Sequence, residues 1–345
     1  MKSGRAALLP TLGTAAAAAA LVVLPRWIGA DLLSQLTLNL SFAVLALSLA
    51  FVWGYAGIFS FGQAAFFGLG GYTYAAAAIN FGDSTPAVVV ALVVPTLFAA
   101  VLGYLVFYAR VSSLYVAVIT LVVTLILYKT MGQTANRAYM IGSAMLGGYN
   151  GMPAVPPLNL PGDADRYAGP EEMFTVAGLA LLATYVGLRL LLRSRLGRIF
   201  VGMRENETRM ALLGFDVRFY KLVAFMIAAA IAAVGGILFT NWNSFIDPHV
   251  FALDFSAQPI IWVMIGGVGT LAGPVVGTFV LSTLALELGT QKAVDINFVL
   301  GGIFMLFVLA VPQGLIPSAR RLLARRKPSA STEPARPVTQ GGAND

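Results

Sequence analysis

Residues 220–242 read YKLVAFMIAAAIAAVGGILFTNW, and after Lys221 no charged residue occurs until Asp247. Coiled as a helix, an apolar run of this length crosses about 30 Å of hydrocarbon. Comparable runs recur at 6–25, 34–53, 60–80, 86–108, 113–131, 173–192, 256–269, 272–288 and 296–316. Of the 345 residues, 58% are hydrophobic and 11% charged, whereas soluble domains carry about 25% charged residues. Lipid, not water, is therefore the solvent for which the chain is built. Only helices and closed barrels satisfy their backbone groups in lipid. These runs are continuous and rich in Leu, Val and Ala, without the alternation of a barrel strand. The fold class that follows is all-α: a polytopic integral membrane protein of about ten transmembrane helices (eight to ten), some of them glycine-broken or re-entrant.

The net charge of +7 is unevenly spread. Residues 193–221 hold seven Lys/Arg against three acids, and the tail from Ser318 holds six against two. Each island is therefore +4, and the remainder of the chain is −1. Two basic islands on a near-neutral apolar body are a topology signal and not a nucleic-acid footprint, because Lys and Arg flanking a span stay in the cytoplasm. Both islands facing inward require an even number of crossings between them, so 256–269 and 272–288 must be two short spans joined at Gly269–Gly273. The loop 132–172 then lies outside, in the periplasm, as does the acid-containing loop 243–254. Both termini lie in the cytoplasm. The domain division is a transmembrane domain over 1–317 and a basic, disordered-type cytoplasmic tail over 318–345. Arg320–Lys327 reads as an anchor to anionic lipid headgroups. Lys2, Arg5 and the alanine run Ala15–Ala20 raise a cleaved signal peptide as an alternative for the first span; the length of the apolar stretch and the spans that follow argue for retention.

The composition excludes several chemistries. The chain has no cysteine, and no G-x-x-x-x-G-K-[ST] loop for nucleotide occurs. No acid pair, Ser–Lys pair or histidine lies at a span centre: Glu287 and Arg189 sit near span ends, and the single histidine, His249, stands beside Pro248 in a loop and reads as solvated. No catalytic residue, metal ligand set or cofactor site is expected, and the chain is not an enzyme. Ion coupling, the mode of a secondary transporter, generally needs ionisable residues inside the bundle, so energy supplied by a partner protein is the economical alternative.

Two segments are interrupted by glycine, WGYAGIFSFGQAAFFGLGG at 53–71 and IGGVGTLAGPVVG at 265–277. Glycine permits either close helix packing or a break beside a solute pathway. Gly266, Gly267 and Gly269, together with the polar Asn39, Ser60, Gln63 and Gln258 at membrane depth, are candidates for a translocation path or for cross-helix bonds. The loop RSRLGRIFVGMRENETRMALLGFDVRFYK at 193–221 predicts a short helix over Glu205–Leu213, with acids in its first turn and Gly214 as the stop. Met210, Leu212 and Leu213 are its apolar anchors if it docks on another protein. Otherwise it is a basic loop lying on lipid.

Four strings, GYAGIFSFGQAAFFGLGGYTYAA from Gly54, LGGYNGMP at Leu146–Pro153, RENETRMALLGFDVRFYKLVAF from Arg204 and IGGVGTLAGPVVG from Ile265, resemble in order and spacing the LivM-type permeases of branched-chain amino acid ABC importers. The resemblance covers roughly residues 35–315. It implies alternating access in the bacterial inner membrane beside a LivH-like second permease subunit, driven by two cytoplasmic ABC ATPase subunits and fed by a periplasmic solute-binding protein. It also implies that Arg204, Glu205, Asn206, Glu207, Leu213 and Gly214 form the ATPase-coupling region. The chain departs from the family at Arg209 and Met210, where relatives often carry two alanines. A Ser/Thr–Arg pair like Thr208–Arg209 occurs in urea and short-amide importers of the same superfamily, which makes these solutes the alternative to branched-chain amino acids.

Overall fold

The computed structural model describes residues 21–136, 138–160 and 163–289, with isolated positions at 19, 301, 302, 305, 314, 315 and 318. The expected spans 6–25 and 296–316 and the tail 318–345 lie essentially outside the described residues. Ten helices are described: α1 Ala30–Gly54, α2 Gln63–Phe81, α3 Ser84–Tyr108, α4 Ser113–Gly132, α5 Pro170–Arg193, α6 Arg195–Glu205, α7 Glu207–Leu212, α8 Val217–Asn243, α9 Leu253–Gly266 and α10 Ala272–Gly289. Of these, α1, α3, α4, α5 and α8 are long and apolar enough to cross a membrane. At 14 residues, α9 spans only about 21 Å, and α10 is likewise a shorter apolar helix. The sequence places a break at 269–273, and the helices indeed separate there, at Gly267–Leu271.

Local chemistry sets several boundaries. α2 stops on Gly82, whose φ of +67° closes the helix in the left-handed form. Asp83 then caps α3 by accepting the Thr85 amide at 2.8 Å. At α5, Pro170 opens the first turn and the Glu172 carboxylate accepts the Gly169 amide at 3.0 Å.

Burial separates centre from periphery. In α1, 78% of the apolar window is buried, against 28%, 22% and 17% in α3, α4 and α5. α1, α2 and α8 form the core, and their packing uses residues without side chains: a Cβ on Gly70 would lie 2.7 Å from the Ala233 Cα, and one on Gly236 would collide with the Phe67 carbonyl. Such close backbone approach is the usual means of helix association in lipid. On α3, Val89, Val93, Leu97, Val101 and Leu105 form an exposed stripe, and α4 carries its own in Leu114, Val118, Val122 and Ile126. Both repeat every four residues, so they cover one helix face each. Exposed apolar faces of this extent are suited to contact with lipid or with another membrane subunit. The stacked Tyr104 and Tyr108, 4.6 Å apart beside Arg110, mark the end of that face.

The two ends of the bundle differ. At one, residues 132–172 form two short antiparallel hairpins, β1 Met140–Ile141 with β2 Ala144–Met145, and β3 Asn159–Leu160 with β4 Asp163–Tyr167. These are the departure from an all-helical chain, and they lie outside the apolar runs. Asn80 donates to the Ile141 carbonyl at 2.7 Å, Ser84 N donates to Asn159 Oδ1 at 2.8 Å, and Met152 bridges to Ile246. The loops 132–172 and 243–254 meet at that last bridge. At the opposite end lie α6, α7, the α1–α2 connection and the α9–α10 turn.

Candidate functional site

Between α1, α9 and α10 lies a cleft of about 550 Å³. Its walls are mainly apolar, with Leu38 and Phe42 on α1, Ile261 and Trp262 on α9 and Leu281 on α10. Phe42 stacks on Trp262 at 5.3 Å. Polar groups enter from the same helices: Gln35 and Asn39, Asp254 and Gln258, Ser282 and Thr283. A largely apolar pocket with a few convergent polar groups is the usual form of a small-molecule site. Asp254 pairs with His249 Nε2 at 3.0 Å, and both side chains remain exposed, as expected of a solvated loop histidine.

Of the seven path candidates, Asn39 and Gln258 line this cleft. Ser60 accepts the Gly62 amide at 3.0 Å, shaping the turn before α2. Gln63 is buried at the start of α2, where its Oε1 accepts the Ser48 hydroxyl at 3.0 Å and its Nε2 has no partner among the described residues. Gly266 packs on the Gly273 backbone, and Gly267 and Gly269 turn the chain with φ of +113° and +86°. These five residues serve the packing and turns of the opposite end. The cleft residues missed from sequence carried a signal: Gln35 with Asn39 and Asp254 with Gln258 are each four apart, one polar edge on an otherwise apolar helix.

The loop 193–221 folds as two helices instead of one. Glu205 closes α6, and Asn206 breaks the chain with φ −160° and caps α7 by accepting the Arg209 amide at 2.8 Å. The break is an N-cap competing successfully with helix continuation, because asparagine supplies the acceptor that the new first turn lacks. α6 is amphipathic: Phe200 and Met203 are buried, with Phe200 edge-on to Phe51 of α1 at 5.7 Å. α7 ends before Gly214, whose φ of +89° reverses the chain, and Asp216 caps α8. Glu207 forms an ion pair with Lys221 at 2.6 Å, tying α7 to α8. Arg204 turns toward the body and donates from Nη1 to the Gly54 carbonyl. Met210 packs against Gly202, whereas Leu212 and Leu213 are 84% and 67% exposed.

Residues 32–309 match the sequence profile of the branched-chain amino acid transport system permease component. The chain belongs to this permease family. The permease is 27% identical over 330 residues to the high-affinity branched-chain amino acid transport system permease protein LivM of Escherichia coli K12, covering 87% of this chain and 73% of that protein. It is 27% identical over 334 residues to a probable LivM of Methanocaldococcus jannaschii, covering 83% and 94%. A LivH permease of Salmonella typhimurium is 26% identical over 148 residues, 42% of this chain and 46% of that one, so the two kinds of permease share ancestry. No solved structure gives a significant match. The matched range of the permease takes in the cleft helices and the whole of the α6–α7 loop.

Proposed function

We propose that the chain is the LivM-like subunit of an ABC importer that carries branched-chain or other small amino acids across the bacterial inner membrane. The names of its relatives support the solute class, and the cleft between α1, α9 and α10 offers it apolar walls and amide and hydroxyl partners. The single observation that carries the energy source is the α6–α7 loop. Two exposed leucines stand at the tip of a charged loop, on a helix braced from behind by the Glu207–Lys221 pair. That is the form of a helix that seats in a partner's groove.

In this reading two cytoplasmic ATPases dock on α7, a LivH-like permease completes the pathway, and a periplasmic binding protein delivers solute at the end bearing the hairpins. The loop 193–221 and both termini are cytoplasmic, the loop 132–172 is periplasmic, and ATP binding and release drive alternating access. The test is uptake of labelled leucine by proteoliposomes holding both permeases and the ATPases, with the binding protein added outside. Uptake should require internal ATP and external binding protein together. Uptake driven by an ion gradient without ATP would place the protein among secondary transporters and refute the proposal.

A further inference from the structure

The cleft and the α6–α7 loop occupy different parts of the bundle, and a hydrogen bond from the loop reaches a helix that lines the cleft. Arg204, at the end of α6, donates to the carbonyl of Gly54, the last residue of α1. The final carbonyls of a helix have no intrahelical donor, and the helix dipole places negative charge there. A guanidinium answers both. The same group faces the α9–α10 turn: a Cβ on Gly269 would lie 3.4 Å from Arg204 Nη1 and 3.9 Å from Nη2. Along its stem, a Cβ on Gly57 would lie 3.1–3.3 Å from the Arg204 Cα, Cβ and Cγ. Gly54 and Gly269 are themselves in close approach, since a Cβ on Gly54 would lie 2.9 Å from the Gly269 nitrogen.

Gly57 thus leaves room along the arginine stem, Gly54 lets the end of α1 approach the Gly269 backbone, and the helices that meet there are those that line the cleft. The other polar tie of the loop, Glu207–Lys221, goes to α8, from which no lining residue comes. We propose that Arg204 is the positioning residue that couples the docking loop to the cleft: its guanidinium holds the end of α1 and the α9–α10 turn together, so that displacement of α6 moves both cleft walls at once. Arg204 as a whole nevertheless remains exposed. This inference rests on the permease reading above.

The test uses the complete reconstituted importer and reads solute molecules taken up per ATP hydrolysed, with ATPase content per complex measured in parallel. Arg204→Met keeps the stem against Gly57 and removes the donors; Arg204→Lys keeps a charge without the planar fork. Arg204→Met should lower uptake per ATP about tenfold, within the usual span of coupling between sites. Arg204→Lys should fall between it and wild type. A purely structural role would lower assembly, hydrolysis and uptake in proportion and leave that ratio unchanged. An unchanged ratio in Arg204→Met overturns the proposal, as does failure of both variants to assemble, which would make Arg204 a folding clamp; if only Arg204→Met fails to assemble, the ratio in Arg204→Lys decides in the same way. If the wild-type complex shows no ATP-dependent uptake, the permease reading falls first and this inference with it.

Discussion

Truncating the two exposed leucines of the loop, Leu212→Ala with Leu213→Ala, should release the ATPases while leaving the permease folded. Each substitution removes three carbons, worth about 2.4 kcal/mol at about 0.8 kcal/mol per buried carbon. The two side chains expose 84% and 67% of their surface, so about 3.6 kcal/mol is the most that a partner groove gains by covering both. This corresponds to a few-hundredfold weaker ATPase binding per docking site. Neither leucine is buried in the free permease, so removal opens no cavity and thermal stability in detergent should stay within about 0.5 kcal/mol of wild type. The assay titrates purified ATPase onto immobilised permease pair in lipid nanodiscs. ATPase affinity unchanged in the double variant would refute the docking face argued for α7, whatever happens to uptake.

Other outcomes follow from the same geometry. Gly214→Val forces a β-branched residue to φ +89° with open space around it, so strain of about 1–3 kcal/mol falls on the backbone alone; ATP-dependent uptake should drop while membrane insertion, read by protease protection, persists. Glu207→Lys replaces the 2.6 Å pair with a like charge beside Lys221, and although a half-exposed pair stabilises by only about 0.5–1 kcal/mol, uptake should fall and recover in the double variant with Lys221→Glu. Failure of that second change to restore transport would remove the bracing role assigned to the pair. At the opposite end, the Thr85 backbone amide bonded to Asp83 holds that carboxyl below the ordinary carboxylate range, with the Asn159 amide assisting. A depressed folded-state pKa stabilises above the unfolded value of about 3.9 and is lost as pH falls through the folded one. Protection of the Thr85 amide against hydrogen exchange, taken relative to its intrinsic rate at each pH, should therefore fall only in that acid window, and Asp83→Asn, neutral throughout, should abolish the pH step.

The sequence by itself determined the solvent and the element type. Apolar runs such as 220–242 exceed what a soluble core needs, and their continuity selects helices over barrel strands; neither inference depends on which helix touches which. The glycine strings and the loop 193–221 were also legible, because break signals and charge are local properties. Which polar residues meet was not. Ser60 and Gln63 looked as pathway-like as Asn39 and Gln258, yet Ser60 bonds within its own turn and Gln63 to Ser48 of α1, whereas the other two line the cleft. Facing depends on how each helix is rotated about its axis, which in lipid is set by close packing at positions such as Gly70 and Gly236, not by any contrast between apolar and polar faces. Arg204 shows the same limit: read along the chain it is one more charge in a basic loop, and only the convergence of Gly54, Gly57 and Gly269 around it, residues far apart in sequence, makes it a link between the loop and the cleft.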